Sequence, residues 1–343
     1  MEKHIRLFNK DASNTNASIF GEHSGLLYWD EQDPAWYDLY SVLTENFWIA
    51  KEVNLTSDIT DWNSKMTEKE KELYKRGISQ LVLLDSVATS IDGEFASYIR
   101  NPAVKAIMSY IASQEAIHNE SYTYIATTFL TKEEAQEVFD RPKTDVLIQK
   151  ATDLILDRFE NFSKAPTKLN MVEALVAMAA LEGIRFTNGF TPFYLLNRNK
   201  KMLGTGQIIT LIQRDELQHS YFQTLVVRTI LAELDSTLSE KEKTEIGLST
   251  YEFFKEVVDA EKELAKDMYK DIDGVNVTEI LSYIEWRANL LLQNLGLTKI
   301  FPTEENPMRW VMAFSPETIN NTRTDFFEKR SVNYSKVADF DDL

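Results

Sequence analysis

Two glutamate–histidine pairs, each with a spacing of three residues, are the part of this sequence best suited to metal chemistry. They are Glu115–His118 and Glu216–His219. Residues three apart on a helix differ by about 60° in direction and rise by about 4.5 Å, so both side chains of a pair can reach one site. A carboxylate can bridge two metal ions while each imidazole binds one of them, and oxygen and imidazole ligands without thiolate suit iron or manganese. Each pair therefore predicts half of a dinuclear metal site.

Two more carboxylates lie in apolar stretches that also predict helices: Asp85 in LVLLDSVAT and Glu182 in LVAMAALEGIRF. Taken singly, a Glu-x-x-His is usually a surface pair, Asp85 could be a buried acid with hydrogen bonds, and Glu182 could pair with Arg185. Taken together, four acids on apolar faces would be very costly as unpaired ions, and two divalent cations would remove that cost. The four carboxylates and two imidazoles match the ligand set of the ferritin-like di-iron and di-manganese bundles.

The elements that must position these residues are predicted to be helices almost throughout. The chain has 343 residues, 43% of them hydrophobic, with only 11 Gly and 8 Pro, and its apolar residues recur at spacings of three and four. The predicted fold class is all-α, a ferritin-like helical bundle with the dinuclear site in a four-helix core. We expect an irregular N-terminal arm over residues 1–32, the helical domain over 33–301 and a flexible C-terminal tail over 302–343.

Sequence signals also predict individual helix ends. We expect the first helix over Pro34–Trp48 and a connection over Ile49–Met66. Thr67, followed three residues later by Glu70, predicts a capping box at the start of the helix that carries the first acid. The segment over 168–199, which carries Glu182, is expected to be helical.

Charge and cysteine content exclude several classes of function. The net charge of −17 argues against a nucleic-acid backbone or an anionic membrane surface as partner. The absence of cysteine excludes both a disulfide framework and thiolate metal ligands. No apolar run reaches the roughly 18–20 residues that a membrane-spanning helix needs. A cytoplasmic protein is the simplest expectation.

Five local strings resemble the small, radical-generating subunit of class I ribonucleotide reductase. They are LLDS at 83–86, EAIHNESY at 115–122, LEGIRF at 181–186, RDELQH at 214–219 and FFEKR at 326–330. The likeness runs from about Asp33 to Leu343. It implies which side chains hold each metal: Asp85, Glu115 and His118 for one, and Glu182, Glu216 and His219 for the other. The implied cofactor is two iron ions, with two manganese ions or a mixed pair as alternatives, and oxygen is the implied oxidant.

A tyrosine one helical turn beyond His118 occupies the position where that family keeps its radical. This residue is Tyr122, which by periodicity alone would be a core tyrosine with a hydrogen-bonded hydroxyl. The resemblance also implies an apolar cage that keeps water and reductants from the radical, formed by Phe186, Phe190 and Ile212. By spacing alone these three would be plain core residues.

The resemblance further implies a route by which the radical leaves the subunit. Its members are Trp48, Asp215, Tyr334 and Glu328, with Asp215 hydrogen-bonded to His118. By spacing alone, Tyr334 is an ordinary tail aromatic. The tail ends in the acidic string ADFDDL and is implied to dock on the large catalytic subunit. A homodimer and, for some subclasses, a flavoprotein activator are the other implied partners.

The predicted function is that of the radical-generating small subunit of ribonucleoside-diphosphate reductase. A stable tyrosyl radical on Tyr122 would pass to the large subunit, which reduces ribonucleotides to deoxyribonucleotides. Three alternatives stay open: a di-metal oxidase on the same bundle without a radical partner, a ferritin-like iron store, and a helical scaffold without metal. An oxidase predicts a substrate tunnel and no docking tail, and an iron store predicts assembly into a shell.

Overall fold

The computed structural model describes residues 18–21, 23–29 and 34–313. Within these ranges the chain is mostly helical, and its α-helices are α1 (Pro34–Glu45), α2 (Thr56–Ser64), α3 (Glu68–Phe95), α4 (Pro102–Phe129), α5 (Lys132–Asp140), α6 (Val146–Lys164), α7 (Lys168–Ala180), α8 (Thr187–Arg198), α9 (Leu203–Leu234), α10 (Glu240–Tyr269) and α11 (Val277–Asn294). A π-helical segment, Leu181–Phe186, joins α7 to α8 without a break. None of the helices in the described ranges carries an apolar stretch long enough to cross a membrane.

Four long helical units form the core of the bundle: α3, α4, the continuous unit of α7, the π segment and α8, and α9. α3 packs most extensively against α4, and α7 packs most extensively against α9. Contacts of α4 with α9 and of α3 with α8 close the ring, while α6, α10 and α11 pack around it. The inward faces of these units carry fully buried apolar side chains such as Leu84, Ile111, Leu175 and Ile212, so burial of apolar surface holds the bundle together.

Side-chain caps fix where the first two core helices begin. The Thr67 hydroxyl accepts the backbone N–H of Glu70 at 3.2 Å, and the Glu70 carboxylate accepts the backbone N–H of Thr67 at 2.9 Å. The predicted capping box is therefore confirmed. At the start of α4, Asn101 Oδ1 accepts the backbone N–H groups of Ala103 and Val104. These caps set the register of the two helices that carry the first acid and the first glutamate–histidine pair.

The connection between α1 and α3 differs from the prediction in two ways. α1 ends at Glu45, before Trp48, and the Trp48 indole donates a hydrogen bond to Asp215 on α9. The segment predicted as a plain connection, 49–66, contains helix α2, whose Asp58 carboxylate accepts two backbone N–H groups at the start of α9. Both segments make tertiary contacts with α9, which local sequence patterns do not reveal.

The helix predicted over 168–199 is present over 168–198, but the π segment widens it in the middle. Turns of this kind are rare and occur mostly at functional sites. Gly183 lies within the segment, where a Cβ atom would come within 2.7 Å of Leu291 Cδ1 and of Ser220 Oγ. Arg287 on α11 donates from Nε to the carbonyl of Gly183 at 3.1 Å. Close packing of α9 and α11 and a long-range hydrogen bond therefore accompany the widened turn.

Candidate metal centre

Six side chains from the four core units converge in the middle of the bundle, and none is more than 1% exposed. They are Asp85 on α3, Glu115 and His118 on α4, Glu182 in the π segment, and Glu216 and His219 on α9. They form two overlapping groups, and within each group the ligand atoms lie within 4.8 Å of one another. Site A is the group of Asp85, Glu115, His118 and Glu216, and site B is the group of Glu115, Glu182, Glu216 and His219. Glu115 and Glu216 belong to both groups, so they are placed to bridge two ions.

Both histidine rings present Nδ1 to the acids. His118 Nδ1 lies 2.9 Å from Glu216 Oε1 and 3.4 Å from Asp85 Oδ1. His219 Nδ1 lies 2.7 Å from Glu115 Oε1. The two rings are stacked, with centroids 5.9 Å apart. Nδ1 is therefore the nitrogen that each ring would offer to an ion, which leaves Nε2 to carry the proton.

Each Nε2 meets the residue that directly precedes the other glutamate–histidine pair. His118 Nε2 lies 3.4 Å from Asp215 Oδ2, and His219 Nε2 lies 3.1 Å from Gln114 Oε1. Outer partners of this kind fix the tautomer and orientation of a histidine ligand. The hydrogen bond expected between Asp215 and His118 is present, whereas Gln114 was not predicted. Its place directly before a Glu-x-x-His pair, the same as that of Asp215, is the signal that could have revealed it.

The acids of the cluster are not satisfied by protein groups alone. Among the described residues, no hydrogen bond of ordinary geometry reaches the carboxylate oxygens of Asp85, Glu115, Glu182 and Glu216. Buried ionised carboxylates without partners are very costly, and a pair of divalent cations would satisfy all four. A set of carboxylate oxygens and imidazole nitrogens without sulfur suits iron or manganese. The residues present therefore fit a dinuclear metal group.

Burial and the charges of the cluster together set its protonation. Burial raises the pKa of the Asp85 and Glu182 carboxyl groups well above the usual values. Burial acts the same way on Glu115, but the two histidines close to this carboxylate outweigh burial and lower its pKa to about 2. For His118 and His219, burial disfavours the charged ring, yet the surrounding carboxylates prevail and raise both pKa values well above normal. The cluster thus holds protons that bound cations would displace.

Arg185 does not pair with Glu182, so that alternative for the acid is wrong. The Arg185 guanidinium donates from Nε to Glu261 at 2.7 Å and from Nη1 to the Thr152 hydroxyl at 3.0 Å. Asn188 donates to the second oxygen of Glu261 at 2.8 Å. This fully buried network ties the π segment and the start of α8 to α6 and α10, and it leaves Glu182 facing site B.

Tyr122 lies one turn beyond His118 and is fully buried. Its hydroxyl has no hydrogen-bond partner among the described residues. Burial raises the pKa of the phenol well above its usual value, and the Asp85 carboxylate adds to that rise. The phenol is therefore neutral and lies within the electrostatic reach of site A. The predicted cage residues are all fully buried: Phe186 at the end of the π segment, Phe190 on α8 and Ile212 on α9.

Trp48 and Asp215 extend the cluster away from the metal ligands. The Trp48 indole N–H donates to Asp215 Oδ2 at 2.7 Å, and its ring stacks on the His118 ring with centroids 6.0 Å apart. Trp48 is 6% exposed, while its neighbour Phe47 is 63% exposed. A chain of contacts therefore runs from site A almost to the surface. The other two predicted members of the route lie outside the described residues: Tyr334 and Glu328.

One further buried acid near site B was not predicted. Asp92 lies two turns beyond Asp85 on α3, and its carboxylate accepts no hydrogen bond of ordinary geometry from the described residues. Its charge adds to the effect of burial on the pKa of Glu182. It lies in the more polar stretch VATSIDGEF, so its surroundings in the sequence gave no sign that it is buried.

A bundle in which four carboxylates and two histidines from four helices face one another defines the class of ferritin-like dinuclear carboxylate proteins. Comparison with known proteins narrows that class. The family model for "Ribonucleotide reductase, small chain" matches residues 27–307. The ribonucleoside-diphosphate reductase subunit beta of Halalkalibacterium halodurans is 34% identical, and the match covers 98% of each chain. The chain belongs to the family of ribonucleotide reductase small chains.

Solved structures agree with this membership. The ribonucleotide reductase R2 subunit from Clostridium botulinum superposes with a TM-score of 0.78 at 26% identity, over 90% of this chain and 99% of that one. The dimanganese(II)-NrdF of Streptococcus sanguinis gives a TM-score of 0.75 at 26% identity, over 84% of this chain and 98% of that one. The resemblance, the fold class and the predicted function as a ribonucleotide reductase small subunit are therefore confirmed, and the separate oxidase is not supported. A small subunit implies a large-subunit partner.

Proposed function

We propose that this small subunit stores a tyrosyl radical on Tyr122, generated beside a metal pair in sites A and B. The observation that carries the proposal is a fully buried, neutral phenol one turn from His118, next to a cluster of unsatisfied acids. The proposed ligands are those predicted from the sequence: Asp85 and His118 in site A, Glu182 and His219 in site B, and Glu115 and Glu216 as bridges. When bound, the ions would supply the reaction with oxygen and the one-electron oxidation of the tyrosine.

The metal pair that we propose is two iron ions, with two manganese ions or a mixed pair as alternatives. The ligand set suits both elements. The Streptococcus sanguinis relative is described as a dimanganese(II) protein, which keeps the second choice in view. A flavoprotein activator is the additional partner that we associate with the manganese alternative.

Residues of the chain would handle the phenolic proton and protect the radical. Asp85 is the carboxylate whose charge acts most strongly on the Tyr122 phenol, so it is the group that we expect to accept the proton when the tyrosine is oxidised. The three cage residues are fully buried and apolar, which supports exclusion of water and small reductants. They are Phe186, Phe190 and Ile212.

The same proposal includes a way out for the oxidising equivalent. The contacts from His118 through Asp215 to Trp48 support a path on the site A side. Glu328 and Tyr334 would continue that path in residues 302–343, which we propose as the segment that docks on the large subunit. Residues 1–32 would form an arm and 33–301 the bundle. A homodimer and a cytoplasmic location complete the proposal.

Turnover with the large subunit tests this proposal. The full chain, loaded with metal and exposed to oxygen, is expected to support deoxyribonucleotide formation. A chain that ends at residue 314 is expected to keep its radical, measured by electron paramagnetic resonance, but to lose turnover. A synthetic peptide of residues 315–343 should inhibit the full chain, and a peptide with the same composition in scrambled order is the control. Equal turnover by the shortened chain would remove the docking role.

A further inference from the structure

The residue before each glutamate–histidine pair lies within hydrogen-bond distance of the histidine of the other pair. Asp215 precedes the pair on α9 and contacts the histidine of α4, while Gln114 precedes the pair on α4 and contacts the histidine of α9. The second connection has no counterpart in the sequence predictions. Gln114 is a glutamine where the corresponding position of the other pair holds an aspartate, and it is 3% exposed.

The orientation of the Gln114 amide follows from the chemistry of His219. The Nδ1 atom of His219 faces Glu115 at 2.7 Å and is the nitrogen available to an ion in site B. A neutral imidazole that binds an ion through Nδ1 must carry its proton on Nε2. That N–H needs an acceptor in a dry core, and Gln114 Oε1 lies 3.1 Å away. The amide oxygen is therefore placed to accept the proton that Nε2 must carry when Nδ1 binds an ion.

We infer that Gln114 is a positioning residue for site B, which orients His219 through an Nε2–H···Oε1 hydrogen bond and so sets the affinity of this site for a divalent cation. The inference rests on the proposed function, because it needs metal in site B. His118 and site A have their own outer partner, Asp215. Loss of the Gln114 acceptor should therefore act on one of the two sites.

Titration of the metal-free full chain with Mn²⁺ alone tests the inference, with free Mn²⁺ measured by its paramagnetic signal. The unaltered chain should bind two ions. Gln114→Met keeps the length and the helix propensity of the side chain but removes the amide oxygen. It should bind one ion as before and the second about 10- to 100-fold more weakly, the range typical for loss of an outer partner. Gln114→Glu keeps an acceptor and should restore the second affinity.

Gln80→Met is the matched control. Gln80 is a fully buried glutamine on α3. Its amide makes no hydrogen bond of ordinary geometry with the described residues, the two histidines of the cluster included. The control should bind both ions with unchanged affinity. If Gln80→Met lowers the affinity for the second ion as much as Gln114→Met does, the effect is a general one on the bundle and the inference is overturned.

A spectroscopic measurement distinguishes a change in the orientation of the His219 ring from a general effect on folding. The chain has four histidines, so ¹⁵N-histidine spectra of the Zn²⁺-loaded protein contain few signals. The Nε2–H proton of His219 should be protected from exchange in the unaltered chain and in Gln114→Glu, and unprotected in Gln114→Met. If Gln114→Met binds both Mn²⁺ ions with unchanged affinity, or if Gln114→Glu does not restore the affinity for the second ion, the inference is overturned but the proposed metal pair is not. Fewer than two Mn²⁺ ions bound by the unaltered chain would overturn the proposed metal pair and the inference with it.

Discussion

The two residues that belong to site A alone stand on regular helices, whereas the acid that belongs to site B alone stands on a widened one. Asp85 and His118 come from α3 and α4, whose starts are fixed by local caps. Glu182 comes from the π segment, which is held by the long-range partners of Arg185 and by Arg287. One dinuclear centre therefore combines a half whose helices begin at local caps with a half whose geometry depends on tertiary contacts.

The two sites also differ in what lies behind their histidines. His118 leads through Asp215 to Trp48 near the surface. His219 contacts only the amide of Gln114 on its Nε2 side among the described residues. Site B also lies close to the acid Asp92. Site A is therefore the side for which we propose exchange of an electron and a proton with the outside, and site B is the enclosed side.

The largest effect that would test this division is expected at Trp48. Trp48→Phe removes the indole N–H that binds Asp215, so turnover with the large subunit should be lost while the radical on Tyr122 still forms. Trp62→Phe is the matched control, because Trp62 is also 6% exposed and its ring packs on Tyr74 and Phe129, away from the cluster. Loss of turnover in both variants, or in neither, would contradict a special role for the site A side.

Removal of the acid that belongs only to site B should have the next largest effect. Glu182→Ala deletes a ligand, so the loss of affinity for the second ion should exceed the roughly 10- to 100-fold that loss of an outer partner costs. Metal analysis after desalting should give one ion per chain in place of two. Full loading of Glu182→Ala would remove this residue from the ligand set.

The network that anchors the π segment predicts a large change in stability. Arg185→Met leaves Glu261 buried with its charge unpaired, which typically costs about 3–5 kcal/mol. Denaturant unfolding of the metal-free protein should show this loss. The double variant Arg185→Met with Glu261→Met should recover much of it, because an apolar pair of similar volume needs no charge compensation. A double variant that is as unstable as the single one would show that the charge pair is not the cause.

The dependence of stability on pH should be smaller but opposite in sign with and without metal. The raised pKa values of Asp85, Glu182, His118 and His219 mean that the folded chain binds protons that the unfolded chain releases. Their contribution is complete below the unfolded pKa values and is lost as pH rises through the folded ones. Glu115, with a pKa of about 2, acts only in the acid range. Metal-free protein should therefore unfold at lower temperature at pH 8 than at pH 6.

Added Mn²⁺ should reverse that trend. Metal binding requires loss of the protons of the ligands, so affinity rises with pH, and a ligand that binds only the folded state stabilises it more as its affinity increases. Thermal unfolding of the metal-free and Mn²⁺-loaded protein at both pH values checks the sign. If the unfolding temperature changes with pH in the same direction in both forms, the claim that metal ions displace protons held by the cluster is contradicted.

The sequence predicted most of the local features and missed those that depend on distant segments. Thr67 and Glu70 are neighbours in sequence, so their capping box was predictable. The six cluster residues were predictable because an ionisable side chain in an apolar helix needs a partner. The widened turn was not, because the hydrogen bond to Gly183 comes from Arg287 on α11. The early end of α1 was also missed, and the hydrogen bond of Trp48 beyond it reaches a residue distant in sequence, on α9.

Electron paramagnetic resonance on three forms of the full chain tests the central claim most directly. The unaltered chain, Tyr122→Phe and Tyr269→Phe would each be loaded with ferrous iron, exposed to oxygen and assayed for bound metal. Tyr269 is the control because its phenol is also buried, at 2% exposure, without a hydrogen-bond partner among the described residues. We expect a tyrosyl signal in the unaltered chain and in Tyr269→Phe, and two ions but no tyrosyl signal in Tyr122→Phe. A tyrosyl signal that persists in Tyr122→Phe would contradict the account.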